Sequence, residues 1–487
     1  MSLERQSKTP LFDALVSLAE SRKVSFHTPG HKSGKGISTR FKKFVGPKIF
    51  SIDLTTLDEV DCLHKPVGVI KEAQELAAEA YGADRSFFLV NGSTVGNHAM
   101  VLATCLPGEQ VLVARNAHKS IIAGLILADA RPVFFLPEWD QELAIPLNVK
   151  TETVKAALEA HPRAKALILT SPNYYGVTAD LRSVSQAARE RRILLLVDEA
   201  HGPHLKFHPD LPTSALEAGA DLCVQSTHKI VGGMTQSSML HLKGDRVNAD
   251  RLQGILQLMQ TTSPSYVLMA SLDLARMQMA TEGEKLLEKA IRLAEEARFR
   301  IRRLDGLGCF GREEIRARGD FDLDVTKLTI STRGVGLSGF QASSFLNSEA
   351  DVQVEMADLF NLLVIVSIGD RKDDLDRLLL GLERMLQGQN GRTVRGLEVP
   401  FPPLGGLLHL SPRQAYLSPG RYLGLKEAVG QVSADIVTIY PPGIPLLIPG
   451  EEIRPEVAEY LEEMQAKGAR VDGLAEDPTP RLRVATG

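Results

Sequence analysis

The chain has 487 residues, room at ~150 residues per domain for about three units or for one large core with smaller companions. Hydrophobic residues make up 44% and charged residues 24%, an ordinary globular balance that excludes disorder as the main state. Lys and Arg number 56 against 60 Asp and Glu, so the formal charge is −4 and no global basic field exists to hold nucleic acid or an anionic membrane.

The N-terminus lacks an apolar signal core. The strongest apolar runs, such as Ile193 to Val197, fall far short of the ~20 residues that span a bilayer. Leu11 to Ala19 suits a short amphipathic helix. Phe26-His27-Thr28-Pro29-Gly30-His31-Lys32 and Ser33-Gly34-Lys35-Gly36 follow, broken by Pro and Gly. Residues 1–60 are therefore expected to be an arm lying against something else.

Val67–Tyr81 predicts a helix, with Ile70, Ala73, Leu76, Ala77 and Ala80 on one stripe and Gly82 as the stop. Seven strand candidates follow: Ser86–Val90, Gln110–Val113, Pro132–Leu136, Ala166–Thr170, Ile193–Val197, Leu222–Gln225 and Ser238–Leu242. The segments between the first six mostly suit helices. Apolar strands flanked by helices imply an α/β fold, a mostly parallel seven-stranded sheet with helices on both faces. In such sheets ligands bind at the carboxyl edge. A long helical region runs from Ser265 to about Leu304, with Gly283 read as an interruption. A smaller α+β unit has strand-like Lys327–Ser331 and Leu362–Ser367 and a helix Asp373–Leu386. Gln387 to Gly391 reads as a linker, and Pro455–Lys467 as a final helix. The expected division is an arm at 1–60, a large domain at 61–305, a small domain at 306–387 and a C-terminal domain at 388–487. Cys62, Cys105, Cys223 and Cys309 form no Cys-x-x-Cys pair and read as reduced, mostly buried thiols, with no metal expected.

Four polar segments each follow a different strand. Ser226-Thr227-His228-Lys229 offers a lysine that can lose its proton by desolvation and form a Schiff base with a carbonyl. A lone Lys is usually a solvated charge, so Lys229 gains weight only from its company. Asp198-Glu199-Ala200-His201-Gly202 ends an apolar strand, where a buried Asp198 requires a cation or several donors. The same letters occur in helicase-type ATPases, but this chain has no Gly-x-x-x-x-Gly-Lys-Ser/Thr phosphate loop. Asn91-Gly92-Ser93-Thr94-Val95-Gly96-Asn97 suits an anion site at a helix N-terminus, or a plain cap. Arg115-Asn116-Ala117-His118-Lys119-Ser120 offers His118 to stack on a flat ring, or merely to cap a helix. Together the four segments fit one ligand, an aldehyde-bearing pyridine with a phosphate tail.

These motifs, with the Phe26–Lys32 arm and the Tyr440-Pro441-Pro442-Gly443-Ile444-Pro445 to Glu451 segment, resemble the Orn/Lys/Arg decarboxylases. That family belongs to the fold type I, aspartate-aminotransferase-like class of enzymes dependent on pyridoxal 5'-phosphate. The resemblance runs in order along nearly the whole chain and favours the compact biosynthetic arginine decarboxylase type. It implies that Lys229 binds the cofactor covalently, Asp198 pairs with the pyridine nitrogen and His118 stacks on the ring. Ser93, Thr94, Ser226 and His228 would hold the phosphate, and Ala200 would pack on the other ring face. His201 would lie close to the substrate. Lys229 or His228 would return a proton to the substrate's Cα. Thr262 would reach a neighbouring subunit's phosphate, making a homodimer the minimal active unit.

The implied reaction is decarboxylation of a basic amino acid, arginine to agmatine favoured over lysine or ornithine, in cytoplasmic polyamine biosynthesis. For the cationic substrate tail, Glu355 leads the candidates, with Asp358, Glu451 and the acidic stretch Asp53, Asp58, Glu59 and Asp61 behind it. Two alternatives stay open: another fold type I enzyme, for which Arg333 could bind an α-carboxylate, and a cofactor-binding regulatory relative without turnover.

Overall fold

The structure of the protein, a computed structural model, describes residues 2–21, 23–387, 402–440, 443–475 and 479–486. Gly388 to Gly391 of the expected linker, and Pro441 and Pro442, lie outside the described residues.

The seven apolar runs form one sheet: β1 (Arg85–Leu89), β2 (Gln110–Ala114), β3 (Arg131–Phe135), β4 (Ala166–Thr170), β5 (Leu194–Asp198), β6 (Leu222–Gln225) and β7 (Ser238–Leu242). Their spatial order is β1-β7-β6-β5-β4-β2-β3. Strand β7 runs antiparallel to both neighbours, and the other six share one direction. Successive side chains point to opposite faces. Leu112, Leu167 and Leu195 accordingly enter one core, and Val111, Ile168 and Leu196 the other. Both faces are dry, which is why these strands read as unbroken apolar runs. Burying each such side chain contributes about 1.5–3 kcal/mol.

The helix Pro10–Glu20 buries Leu11 and Leu15 and packs against the helix Val69–Tyr81 of its own chain. Asp273 Oδ2 accepts hydrogen bonds from Leu11 N at 3.1 Å and Phe12 N at 3.4 Å. The segment after it presents Phe26 at 92% and Phe44 at 89% exposure.

The helical region after Ser265 is one uninterrupted helix, Tyr266–Ile301. Gly283 does not break it. A Cβ there would meet Met279 Cε at 3.0 Å and Phe207 Cβ at 3.2 Å, so the glycine makes room for a close packing partner. This helix carries the chain to the small unit. There Gly308–Cys309, β8 (Lys327–Ser331), β9 (Asn361–Ile365) and Met356–Ala357 form an antiparallel sheet. Beyond it, Gly420–Gly424 pairs with Arg481–Ala485, and Val437–Tyr440 lies between Pro445–Leu447 and Arg470–Asp472.

A buried ion pair ties this last unit to the large sheet. Arg115, just after β2, donates to Glu451 through Nε at 3.3 Å and Nη2 at 3.0 Å, and both side chains are 1% exposed. Arg115 also donates to the Pro445 and Leu446 carbonyls. Glu451 is therefore committed to Arg115, which corrects its reading as a substrate acceptor. Removing one partner strands a buried charge, so Glu451→Ala is expected to cost about 3–5 kcal/mol in a urea unfolding titration. A loss below about 1 kcal/mol would show the pair to be dispensable.

Candidate active site

Five strand ends meet at one edge of the sheet. Asp198 is the last residue of β5, Ser226 to Lys229 follow β6, Asn91 to Ser93 follow β1, His118 follows β2 and Tyr174 follows β4. Parallel strands direct their carboxyl ends the same way, so side chains distant in sequence converge.

Asp198 is 2% exposed. Its Oδ2 accepts from Asn97 Nδ2 at 2.9 Å and its Oδ1 from Ala200 N at 3.2 Å. No cationic side chain pairs with it among the described residues. Asn97 Nδ2 also donates to Ser120 Oγ at 2.8 Å, which orients the amide, while Asn97 Oδ1 is buried without a partner.

His118 caps the helix Lys119–Ala128. Its Nδ1 accepts from Ser120 N at 3.2 Å, so a neutral ring carries its proton on Nε2. Burial pushes its pKa below the usual value, against the pull of Asp198. Capping and stacking are thus compatible roles for one ring. Ser93 and Ser226 hydroxyls lie 2.9 Å apart beside the start of the helix Gly92–Thr104. Gly92 has φ +73° and open space where a Cβ would stand, so the backbone can approach a ligand closely. Thr94 is exposed one residue further on. His228 Nδ1 donates to Ser237 O at 2.9 Å, and burial lowers its pKa.

Lys229 Nζ lies 3.0 Å from His201 Nε2 and 5.6 Å from the centre of the Tyr174 ring. Burial pushes its pKa below the ordinary lysine value, opposed by the charges of Asp198 and Glu355. His201 is buried, and burial with two neighbouring lysines pushes its pKa well down. Ala200 is buried between Asp198 and His201 in the chain.

Glu355 stands exposed just before Met356, its charge reaching Lys229, His228 and Lys327. Of the other acidic candidates, Asp58 is exposed, and four have partners elsewhere. Asp358 accepts from Tyr175 Oη at 2.7 Å, and Asp61 accepts backbone N–H groups at the start of the helix Val69–Tyr81. Asp53 meets His31 at 3.0 Å, and Glu59 meets Lys23 at 2.5 Å. Arg333 donates to the Gln141 and Glu142 carbonyls, so the arginine that an aminotransferase reading invokes is already engaged. Thr262 is exposed; it is its neighbour Thr261 that donates, from its backbone N–H, to Asn91 Oδ1 at 3.2 Å.

Asn97, Ser120, Tyr174 and Lys327 also belong to the site. The first two stand inside motifs already singled out. Tyr174 and Lys327 carry no local signal, because their partners come from other strands.

The chain matches the family model described as Orn/Lys/Arg decarboxylase, major domain, over residues 9–374, and that of the family's C-terminal domain over 409–478. It is 42% identical to an arginine decarboxylase of Bacillus subtilis, over 98% of each chain. It is 26% identical to the inducible lysine decarboxylase of Escherichia coli, over 98% of this chain and 80% of that one. The crystal structure of the Francisella novicida lysine decarboxylase superposes with a TM-score of 0.86 at 24% identity, over 98% of this chain and 81% of that one. The superposition establishes the fold, and the matches over both the major and the C-terminal segments establish the lineage: this chain belongs to the Orn/Lys/Arg decarboxylase family.

Proposed function

We propose that the protein decarboxylates a basic amino acid with pyridoxal 5'-phosphate, and that arginine is the substrate. The observation that carries the cofactor is Asp198, a buried carboxylate with two donors and no cationic partner among the described residues. A protonated pyridine nitrogen supplies the missing cation. The other groups fit the same ligand: a half-buried amine at Lys229 for the aldehyde, and the Ser93 and Ser226 hydroxyls at a helix N-terminus for the phosphate. Arginine is favoured by the 42% identity to arginine decarboxylases over nearly the whole chain.

When bound, the pyridoxal group supplies an electron sink for the pair released as CO₂ leaves. The protein's own residues do the rest. Asp198 holds the proton on the ring nitrogen. His118 and Ala200 confine the ring, and Ser93, Ser226 and His228 anchor the phosphate. Glu355 receives the cationic tail. Lys229 Nζ returns a proton to the substrate's Cα; neutral His228 keeps its one ring proton on Nδ1, against Ser237 O, and has none on Nε2 to give. Incubation with arginine, lysine and ornithine, followed by identification of the amine formed, tests the reading. Agmatine as the main product is expected; no amine from any of the three would overturn it.

Glu355→Gln keeps the size of the side chain and removes its charge. It is expected to raise KM for arginine about tenfold, a loss of about 1.4 kcal/mol, with kcat changed much less. An unchanged KM would move the tail acceptor elsewhere.

The active unit is proposed to be a homodimer, with Thr262 reaching the partner's phosphate. Its exposure on the rim beside Asn91 supports this. After demonstrated subunit exchange, Lys229→Ala and an inactive Thr262→Trp variant should partly restore each other's activity. No recovery, with the parent active under the same treatment, would exclude a shared site.

A further inference from the structure

A second lysine reaches the same site from the small unit. Lys327 opens β8 and is 1% exposed. Its Nζ lies 2.9 Å from His201 Nδ1, while Lys229 Nζ lies 3.0 Å from His201 Nε2. One imidazole is bracketed by two amines. The position is built for it: Gly176, at φ +87°, leaves the space that Lys327 fills, since a Cβ there would meet Lys327 Cγ at 2.9 Å.

Proton counting constrains this chain. A neutral imidazole has one N–H and one lone pair. Its lone pair can accept from an ammonium. Its N–H needs a lone pair opposite, and only a neutral amine has one. Both contacts are hydrogen bonds only when the lysine facing the ring's N–H is a neutral amine; the other can be ammonium or amine. A protonated ring would need two neutral amines, and the two neighbouring lysines and burial disfavour it. The charged groups around the chain are Asp198 and Glu355 facing Lys229, and Asp324 and Glu355 facing Lys327. His118 and His204 are the other titratable neighbours of His201. Burial pushes Lys327 down to about 8, so it titrates within reach of neutral pH.

We propose that Lys327 is a positioning residue that takes up, through His201, the proton Lys229 must shed to act as a nucleophile. Lys229 ammonium gives a proton to His201 Nε2, and the ring gives its Nδ1 proton to Lys327 Nζ. Lys229 is left a neutral amine, Lys327 an ammonium, and the ring its other tautomer. No proton is exchanged with solvent. This inference rests on Lys229 being the amine that binds the cofactor.

The test follows Lys229 itself rather than turnover. The full chain, cleared of cofactor, is exposed to pyridoxal phosphate across a pH series and trapped with borohydride. The label on the Lys229 peptide is then quantified. Lys327→Met removes the proton acceptor and the neighbouring charge, so the midpoint of labelling should rise by about one pH unit or more. Lys327→Arg places there a permanent cation that cannot take up a proton, so its midpoint should fall below the parent's; a midpoint equal to the parent's would mean that Lys327 is already a cation, takes up no proton and acts by charge alone. Damage to the pocket alone would move both variants the same way. Should Lys327→Met fail to fold, the arginine variant decides: a midpoint at or above the parent's overturns the relay. If the parent labels Lys229 but the methionine variant keeps the parent's midpoint, the relay is wrong and the cofactor assignment stands. If the parent is labelled at another lysine, the cofactor assignment fails and the relay with it.

Discussion

Lys229→Ala is expected to lower the rate of amine formation at least ~1000-fold, an increase in barrier of about 4 kcal/mol. The size of the effect follows from position. Lys229 stands at the turn after β6, with its amine among Asp198, His201 and the Tyr174 ring. A second amine nearby, that of the buried Lys327, sits against the opposite nitrogen of His201. The His201 ring stands between the two amines, so Lys327 is not expected to take over. Borohydride trapping checks the same point chemically. In the parent the label should map to Lys229, and in the variant it should vanish. A variant with a tenth of the parent's rate, or with equal labelling on another lysine, would show that the nucleophile lies elsewhere.

The large sheet was legible because its strands are buried on both faces. Ala166–Thr170, Leu222–Gln225 and Ser238–Leu242 match the observed strands residue for residue, and the other four differ by one residue at one or both ends. Five of the seven, β1, β2, β4, β5 and β6, stop where a polar segment of the site begins. The sign of β7 was not legible. Its composition is as apolar as its neighbours', and direction is decided by the connection rather than by the strand. Gly283 was misread for a related reason. Glycine lowers helix propensity by ~1 kcal/mol, but here a packed neighbour, Phe207, occupies the missing side chain's place.

In the site, the legible residues were those held in contiguous motifs. Asp198, Ala200 and His201 share one strand end, and Ser226, His228 and Lys229 share the next. Residues that matter through tertiary contact left no trace. Lys327 is 126 positions from His201, and nothing in β8 separates a buried lysine from a solvated one. Glu451 was misjudged in the same way. An acidic residue in a Pro-Gly-Glu turn reads as available, yet its partner Arg115 lies 336 positions away and claims both of its oxygens.

Asp198→Asn is expected to leave the fold intact and cofactor binding measurable while lowering turnover at least ~100-fold, about 2.7 kcal/mol. The two effects separate because of how the carboxylate is held. Both of its oxygens accept, from Asn97 Nδ2 and from Ala200 N. An amide keeps one acceptor, which can stay on Ala200 N. Its new N–H₂ would then face Asn97 Nδ2, donor against donor. Asn97 can relieve this by turning its amide over, because its Oδ1 has no other partner to lose. The cost is the Asn97–Ser120 hydrogen bond, about 1 kcal/mol. Stability should therefore fall little. The charge has no such substitute. A neutral amide cannot keep a proton on the pyridine nitrogen, and without that proton the ring is a weaker acceptor for the electrons left when CO₂ departs. Visible absorbance after adding pyridoxal phosphate measures the retained binding, and amine formation measures the lost turnover. A rate within tenfold of the parent's, less than about 1.4 kcal/mol, would mean that the buried carboxylate serves packing and not the reaction.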